Sequence, residues 1–285
     1  MKSDTNFKIA IINDEISPNI NTCIQFLKRN NIKQIDLRSI NKVNILNMQE
    51  SELIKLSKAL FKNNIQMNML ASPLFKWHPL TSNKGSIRKF DLHHFKSDLA
   101  PKEKELFINK SIRILKIFNS NKIRIFSLIR SKDSDLLFYD QERDLYNLFI
   151  SVCKKNGIEI YLENENSCIV SDKKSIFKNI KLIKELKINF LFDIGSFYAV
   201  QKNINYKEVS KIIDFTDYIH LKDYCYEKEK HVVIGEGDVP YGKIFTKLFK
   251  KDINMPMTLE MHTPKDQDSG QKSLDNIKKI ISKIE

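Results

Sequence analysis

The chain is short of glycine. It has seven glycines in 285 residues, where average usage of ~7% would supply about 20. That excludes a Gly-rich linker, a collagen-like repeat and a Gly-rich RNA-binding tail. The glycines that remain are expected where no side chain fits or where φ is positive. Arginine is scarce as well: Arg29, Arg38, Arg88, Arg113, Arg124, Arg130 and Arg143 are seven of 48 basic residues, which leaves 41 lysines. Phosphate recognition favours the planar fork of arginine, and nucleic-acid binders gather their charge in one stripe. Acidic residues are interleaved along the whole chain, so the formal charge of +13 reads as a lysine-rich solvated surface and disfavours a nucleic-acid partner. Cys23, Cys153, Cys168 and Cys225 lack metal-ligand spacing and read as reduced packing thiols of a cytoplasmic protein. Met1–Thr5 has no signal-like apolar stretch, and no apolar run approaches the ~18 residues of a membrane span.

What the chain does have is a repeated pattern. Short β-branched runs recur at 8–12, 33–37, 65–70, 123–128, 158–162, 188–192, 217–221 and 256–260. Each is followed by an amphipathic helical stretch. The first opens after Ser17-Pro18, and others are expected near 49–63, 140–155, 173–186, 205–213 and 241–250, with a last one from about Gly270. Strict β-then-α alternation implies a parallel sheet, and eight units imply closure into a single-domain (β/α)8 barrel over 1–285. An open doubly wound sheet would carry a Gly-rich first turn; here that turn reads Asn13-Asp14-Glu15-Ile16. The stretch at about 71–99 is irregular and basic, and carries His78, His93 and His94. It reads as a lid-like loop excursion.

The C-terminal strand ends of such a barrel face its active site. In order they offer Asn13 and Glu15, Asp36 and Arg38, Ser72 and Lys76, Arg124, Glu163, Asp193, His220 with Lys222, and Glu260 with His262. A single carboxylate after a strand is usually a helix cap or an ion-pair partner. Four consecutive strands ending in Glu163, Asp193, His220 and Glu260 place three carboxylates and an imidazole on one rim. Unpaired, they would repel and raise one another's pKa values. One divalent cation resolves that cost, and mostly oxygen ligands with one histidine suit Mn²⁺, Mg²⁺ or Co²⁺, with Zn²⁺ also compatible.

This series resembles that of the xylose isomerase-like TIM barrels of the sugar phosphate isomerase/epimerase family. Ile35-Asp-Leu-Arg-Ser39, Ala71-Ser-Pro-Leu-Phe-Lys76, Arg124-Ile-Phe-Ser127, Leu162-Glu-Asn-Glu165 and Ile219-His-Leu-Lys-Asp223 with Ile234-Gly-Glu-Gly237 are similar to its strand-end motifs, in the same order. The resemblance implies that Glu163, Asp193, His220 and Glu260 are metal ligands. It also implies that Glu163 and Glu260 are catalytic, moving protons on a small carbohydrate substrate. Arg38, Lys76, Lys222, Glu236 and His262 are candidates for binding that substrate; for Lys222 an ion pair to Asp193 or Glu163 is an equal alternative. Dehydratases share the same metal site. The nucleases of the superfamily use three zinc ions, and this chain offers too few further histidines for them. A non-catalytic barrel would not need all four ligands. Two departures stand out: Ser196 replaces a histidine of the ketose 3-epimerases, and no arginine follows Arg143. The oligomeric state is open, a homo-oligomer included.

Overall fold

The structure is a computed structural model that describes residues 9–78, 95, 98–130, 140–202, 204–250, 255–263 and 266–284. Eight parallel strands close into a barrel: β1 (Ile9–Ile12), β2 (Gln34–Leu37), β3 (Gln66–Leu70), β4 (Lys122–Phe126), β5 (Glu159–Glu163), β6 (Asn189–Asp193), β7 (Tyr218–Leu221) and β8 (Met257–Leu259). They lie in chain order around the ring, and β1 pairs with β8 through Ile11 opposite Leu259. The outer helices are α1 (Ile20–Arg29), α2 (Glu50–Lys62), α3 (Pro101–Ile117), α4 (Asp140–Lys155), α5 (Lys173–Glu185), α6 (Tyr206–Asp214), α7 (Tyr241–Lys250) and α8 (Gln267–Ile281). No helix among the described residues is long and apolar enough to cross a membrane.

The strands are nearly continuous apolar runs because parallel strands are buried on both faces. Ile11, Ile35, Ile123, Leu162, Phe190, Phe192, Ile219 and Leu259 belong to the large core shared with the helices. A separate small cluster of Met69, Tyr161, Leu191 and Tyr218 fills the barrel itself. Side chains alternate along a strand, so Glu163 shares the inward parity of Tyr161, and His220 that of Tyr218. The residues expected at the rim are thereby stacked above a packed floor.

The scarcity of glycine is answered at the helix ends. Asn31, Asn64, Asn119 and Lys187 take positive φ of 53°, 55°, 50° and 57°, where Gly157 (65°) does the same after α4. Each of these ends closes the same way, with amides of Ile32, Ile65, Ser120, Ile158 and Ile188 bonding carbonyls of Leu27, Leu60, Leu115, Cys153 and Ile183. This is the Schellman closure, in which asparagine is the usual substitute for glycine. At four of the five ends the following residue is an isoleucine that leads into the next strand; after Asn119 it is Ser120.

Three boundaries differ from the sequence reading. α1 starts at Ile20, not at Ser17-Pro18, because the Asn19 side chain caps the amides of Asn21 and Thr22. α8 starts at Gln267, capped by Asp266, so Gly270 lies inside it. A Cβ on Gly270 would come 2.5 Å from Ile16 Cδ1, so glycine there lets α8 approach the short helical turn Asn13–Ile16. The excursion at 71–99 begins as core, not as a lid: Leu74, Phe75 and Trp77 are fully buried, and Phe75 stacks on Tyr146 at 3.8 Å. Residues 79–94, with His93 and His94, lie outside the described residues.

Candidate metal centre

Glu163, Asp193, His220 and Glu260 come together. One potential ligand atom from each lies within 4.8 Å of all the others, and all four side chains are buried. Their placement follows from register: Asp193 is directly opposite His220 across β6 and β7, and Thr258, two residues before Glu260, is opposite His220 across β7 and β8. His220 Nδ1 sits between Glu163 Oε1 at 2.9 Å and Glu260 Oε2 at 2.8 Å. One N–H cannot satisfy both carboxylates fully. Glu163 Oε2, Glu260 Oε2 and His220 Nε2 are buried without an aligned hydrogen-bond partner. A buried cluster left short of donors in this way fits a cation.

The electrostatics point the same way. Burial raises a carboxylate's pKa, yet Glu163 is held below its usual range by Arg124 and His220, and Glu260 well below by Lys222 and His262. Burial alone would lower the His220 imidazole, but Glu163 and Glu260 outweigh it and raise it to about 10. Asp193 also caps the helical turn after β6, accepting from the Ser196 amide at 2.8 Å and hydroxyl at 2.9 Å, and Lys222 Nζ lies 2.5 Å from its Oδ2. A carboxylate has about four acceptor sites, so these three bonds leave room for a fourth partner.

The remaining candidates divide. Arg38 is buried among Asp14, Glu15 and Glu260, bonding Asp14 at 2.8 Å and Glu260 at 2.6 Å. Lys76 pairs with Glu165 at 3.1 Å, and both border the small cavity over the cluster, as do Arg38, Arg124, Phe126 and His262. Lys222 takes the ion-pair alternative, with Asp193 and at 3.4 Å with Glu260. His262 has a positive φ of 54°, which aims Nε2 at Glu260 Oε1, 3.0 Å away. Glu236 stands apart from the others. Its carboxylate pairs with Lys272 on α8 and is 39% exposed, and it does not border the cavity. The loop turns outward because its amides are claimed by Asp223, which accepts from Gly235 at 2.8 Å, Gly237 at 3.1 Å and Val239 at 3.2 Å. A Cβ on Gly237 would strike Asp223 and come 2.6 Å from the Tyr224 carbonyl. The Gly-Glu-Gly loop therefore clamps onto Asp223 and does not close over the site.

Two strand-end residues to which the sequence reading gave no role complete the centre. Glu15 holds Arg38 and accepts the His262 amide at 2.8 Å. Glu165 faces Lys76. Only the inward parity at a strand end could have signalled either. A larger cavity of about 660 Å³ lies beside the rim, lined by Tyr198, Tyr206, Tyr224 and Tyr226. It contains none of the four clustered residues, whereas the cavity that reaches two of them, Glu163 and Glu260, has about 80 Å³.

Known proteins share this architecture. The IolI protein, solved with a bound zinc atom, superposes with a TM-score of 0.72 over 98% of this chain and 99% of its own, at 11% identity. D-allulose 3-epimerase from Methylomonas sp., solved with D-allulose, gives 0.69 over 98% and 97%, at 13% identity. The probable 3-DHS dehydratase AsbF from Bacillus anthracis gives 0.68 over 97% and 99%, also at 13%. At such identities the likeness concerns the fold. In sequence, the uncharacterized protein MJ1614 of Methanocaldococcus jannaschii is 31% identical over 156 residues, which is 50% of this chain and 57% of that protein's length. The chain closes into an eight-stranded barrel, the family model described as xylose isomerase-like TIM barrel matches its residues 24–281, and the chain belongs to that family.

Proposed function

We propose that the chain is a divalent-metal-dependent isomerase or epimerase of a small sugar, sugar phosphate or related polyol-ketone. The observation that carries this reading is the convergence of Glu163, Asp193, His220 and Glu260 within 4.8 Å of one another. Mn²⁺, Mg²⁺ or Co²⁺ suits this donor set, and Zn²⁺ is also compatible. When bound, such an ion polarises a carbonyl and lowers the cost of the negative charge that an enediolate carries.

The chain's own groups supply the rest. Glu163 and Glu260 come from β5 and β8, on either side of the two strands that carry Asp193 and His220. Both are held ionised by neighbouring cations, so each can take or return a proton beside a carbonyl. Return to the opposite face inverts the carbon; return to the adjacent carbon exchanges aldose for ketose. His262, bonded to Glu260, fixes that carboxylate's orientation. Burial of all four groups excludes water that would quench the carbanion.

The test joins metal analysis to isotope exchange. The purified protein should hold about one divalent ion per chain, and with a ketose panel in deuterated water it should place deuterium next to the carbonyl. Exchange absent from the whole panel with metal-loaded protein would overturn the reading. A conjugated enone product would assign the dehydratase chemistry instead.

A further inference from the structure

We propose that the larger cavity beside the rim is a second binding site, for a small zwitterion with an alkylated ammonium group at one end and an acid group at the other. The proposal is independent of the activity proposed above. The cavity has a volume of about 660 Å³, within the ~300–1,000 Å³ of small-molecule sites. It lies between two walls. The first is the connection after β6, which supplies Tyr198, Lys202 and Tyr206; the second is the strand pair after β7, Asp223–Cys225 and Lys230–Val232, which with its turn supplies Tyr224, Tyr226 and Glu229. The Tyr226 hydroxyl ties the walls together by donating to the Gln201 carbonyl at 2.9 Å. The Tyr206 hydroxyl donates to the Lys243 carbonyl at 2.8 Å, which fastens the start of α7 to the first wall.

Two properties of the lining select the ligand. The first is aromatic surface. Tyr198, Tyr224 and Tyr226 form one cluster, with ring centroids 6.1 Å apart for Tyr198 and Tyr226 and 5.7 Å apart for Tyr224 and Tyr226. The Tyr206 and Tyr226 hydroxyls already give their protons to backbone carbonyls, so these rings bring π surface to the cavity. Such surface attracts an ammonium group, and an alkylated one best, because it needs no hydrogen-bond acceptors beyond the ring faces. The cavity's own lysine shows the attraction: Lys243 Nζ lies 5.6 Å from the Tyr206 ring centroid. The second property is the division of charge. Both carboxylates, Glu229 and Asp238, stand on the second wall, where Asp238 accepts the Tyr226 amide at 2.7 Å and its own amide bonds the Tyr224 carbonyl at 2.8 Å. Both lysines, Lys202 and Lys243, stand on the first, Lys243 through its contacts with Tyr206. A plain cation would face the lysines, and a plain anion the carboxylates. A zwitterion meets both walls, its ammonium against Tyr226 and Asp238 and its acid group against Lys202 and Lys243.

Calorimetric titration with glycine betaine tests the site. Wild-type protein should bind it with a Kd of about 1 mM or tighter. Two partial mimics separate the ends: 3,3-dimethylbutanoate has the same shape with an uncharged tert-butyl group, and tetramethylammonium lacks the acid. Each should bind at least ~10-fold more weakly than glycine betaine. Asp238→Asn and Tyr226→Leu, folded by their melting curves, should lose a similar factor, and Lys202→Met should weaken glycine betaine without weakening tetramethylammonium. A chelator in the titration should leave the glycine betaine affinity unchanged, which separates this cavity from the metal centre. The proposal is overturned if glycine betaine shows no binding up to ~10 mM, if 3,3-dimethylbutanoate binds equally well, or if the chelator abolishes binding.

Discussion

Two polar layers are stacked inside this barrel, and they are finished differently. In the lower one the Asp36 carboxylate accepts from Asn68 at 2.6 Å, Thr258 at 2.7 Å and Tyr218 at 3.2 Å. Every polar group there has a neutral partner, and Tyr161 and Leu191 pack around them. One residue further along each strand face, Glu163, His220 and Glu260 keep three buried atoms without aligned partners. The same strands and the same burial thus give one layer that is satisfied and one that is not. The upper layer is instead made of opposed charges, with Arg124 Nη1 3.1 Å from Glu163 Oε2 and His220 Nδ1 2.8 Å from Glu260 Oε2, whereas the lower layer is a structural floor of neutral donors on one carboxylate.

The largest expected effect separates the layers by function. Glu163→Gln removes a proposed ligand and a proton-transfer group at once. It should lower exchange by about 10⁴-fold, the upper end for a general acid–base residue, and reduce the metal content measured on the purified protein to well below one ion per chain. Retention of metal with full exchange would erase the distinction between the layers.

Lys222→Met probes the upper layer's own charge balance. The ammonium is buried against Asp193 and, at 3.4 Å, Glu260, so its loss leaves the Asp193 carboxylate without its ion-pair partner. Without metal the variant should unfold about 3–5 kcal/mol more easily than wild type, and added Mn²⁺ should restore most of that difference in a thermal scan. A loss that metal does not repair would make Lys222 a plain structural lysine.

Much of this was legible in the sequence, for identifiable reasons. The eight strands were readable because a doubly buried parallel strand must be apolar throughout, and their ends because polar residues interrupt those runs at Glu163, Asp193, His220 and Glu260. What could not be read was direction. Glu236 lies between two glycines beside the rim, yet it turns outward because Asp223 holds the backbone amides. Arg38 and Lys76 have the chemistry of substrate anchors, but their partners Glu15 and Glu165 are distant in sequence and meet them only in the closed barrel. Side-chain pairing across strands leaves no local pattern. Helix starts were displaced by one cap, Asn19 or Asp266, for the same reason that boundaries depend on single side-chain bonds.

The lower layer supplies the control. Thr258→Val keeps the shape of the side chain and removes the hydroxyl that bonds Asp36 and lies 2.6 Å from the Tyr218 hydroxyl. It should destabilise the fold by about 1–3 kcal/mol, the cost of leaving a buried acceptor unsatisfied, while metal content stays at the wild-type value. Tyr161→Phe is milder still. Its hydroxyl donates to Glu159 at 2.7 Å at the half-open base of the barrel, where water can replace the lost bond, so about 0.5–1.5 kcal/mol is expected with exchange activity unchanged. If either substitution depleted the metal, the floor and the site would be one coupled network, and the satisfied layer would be part of the chemistry after all.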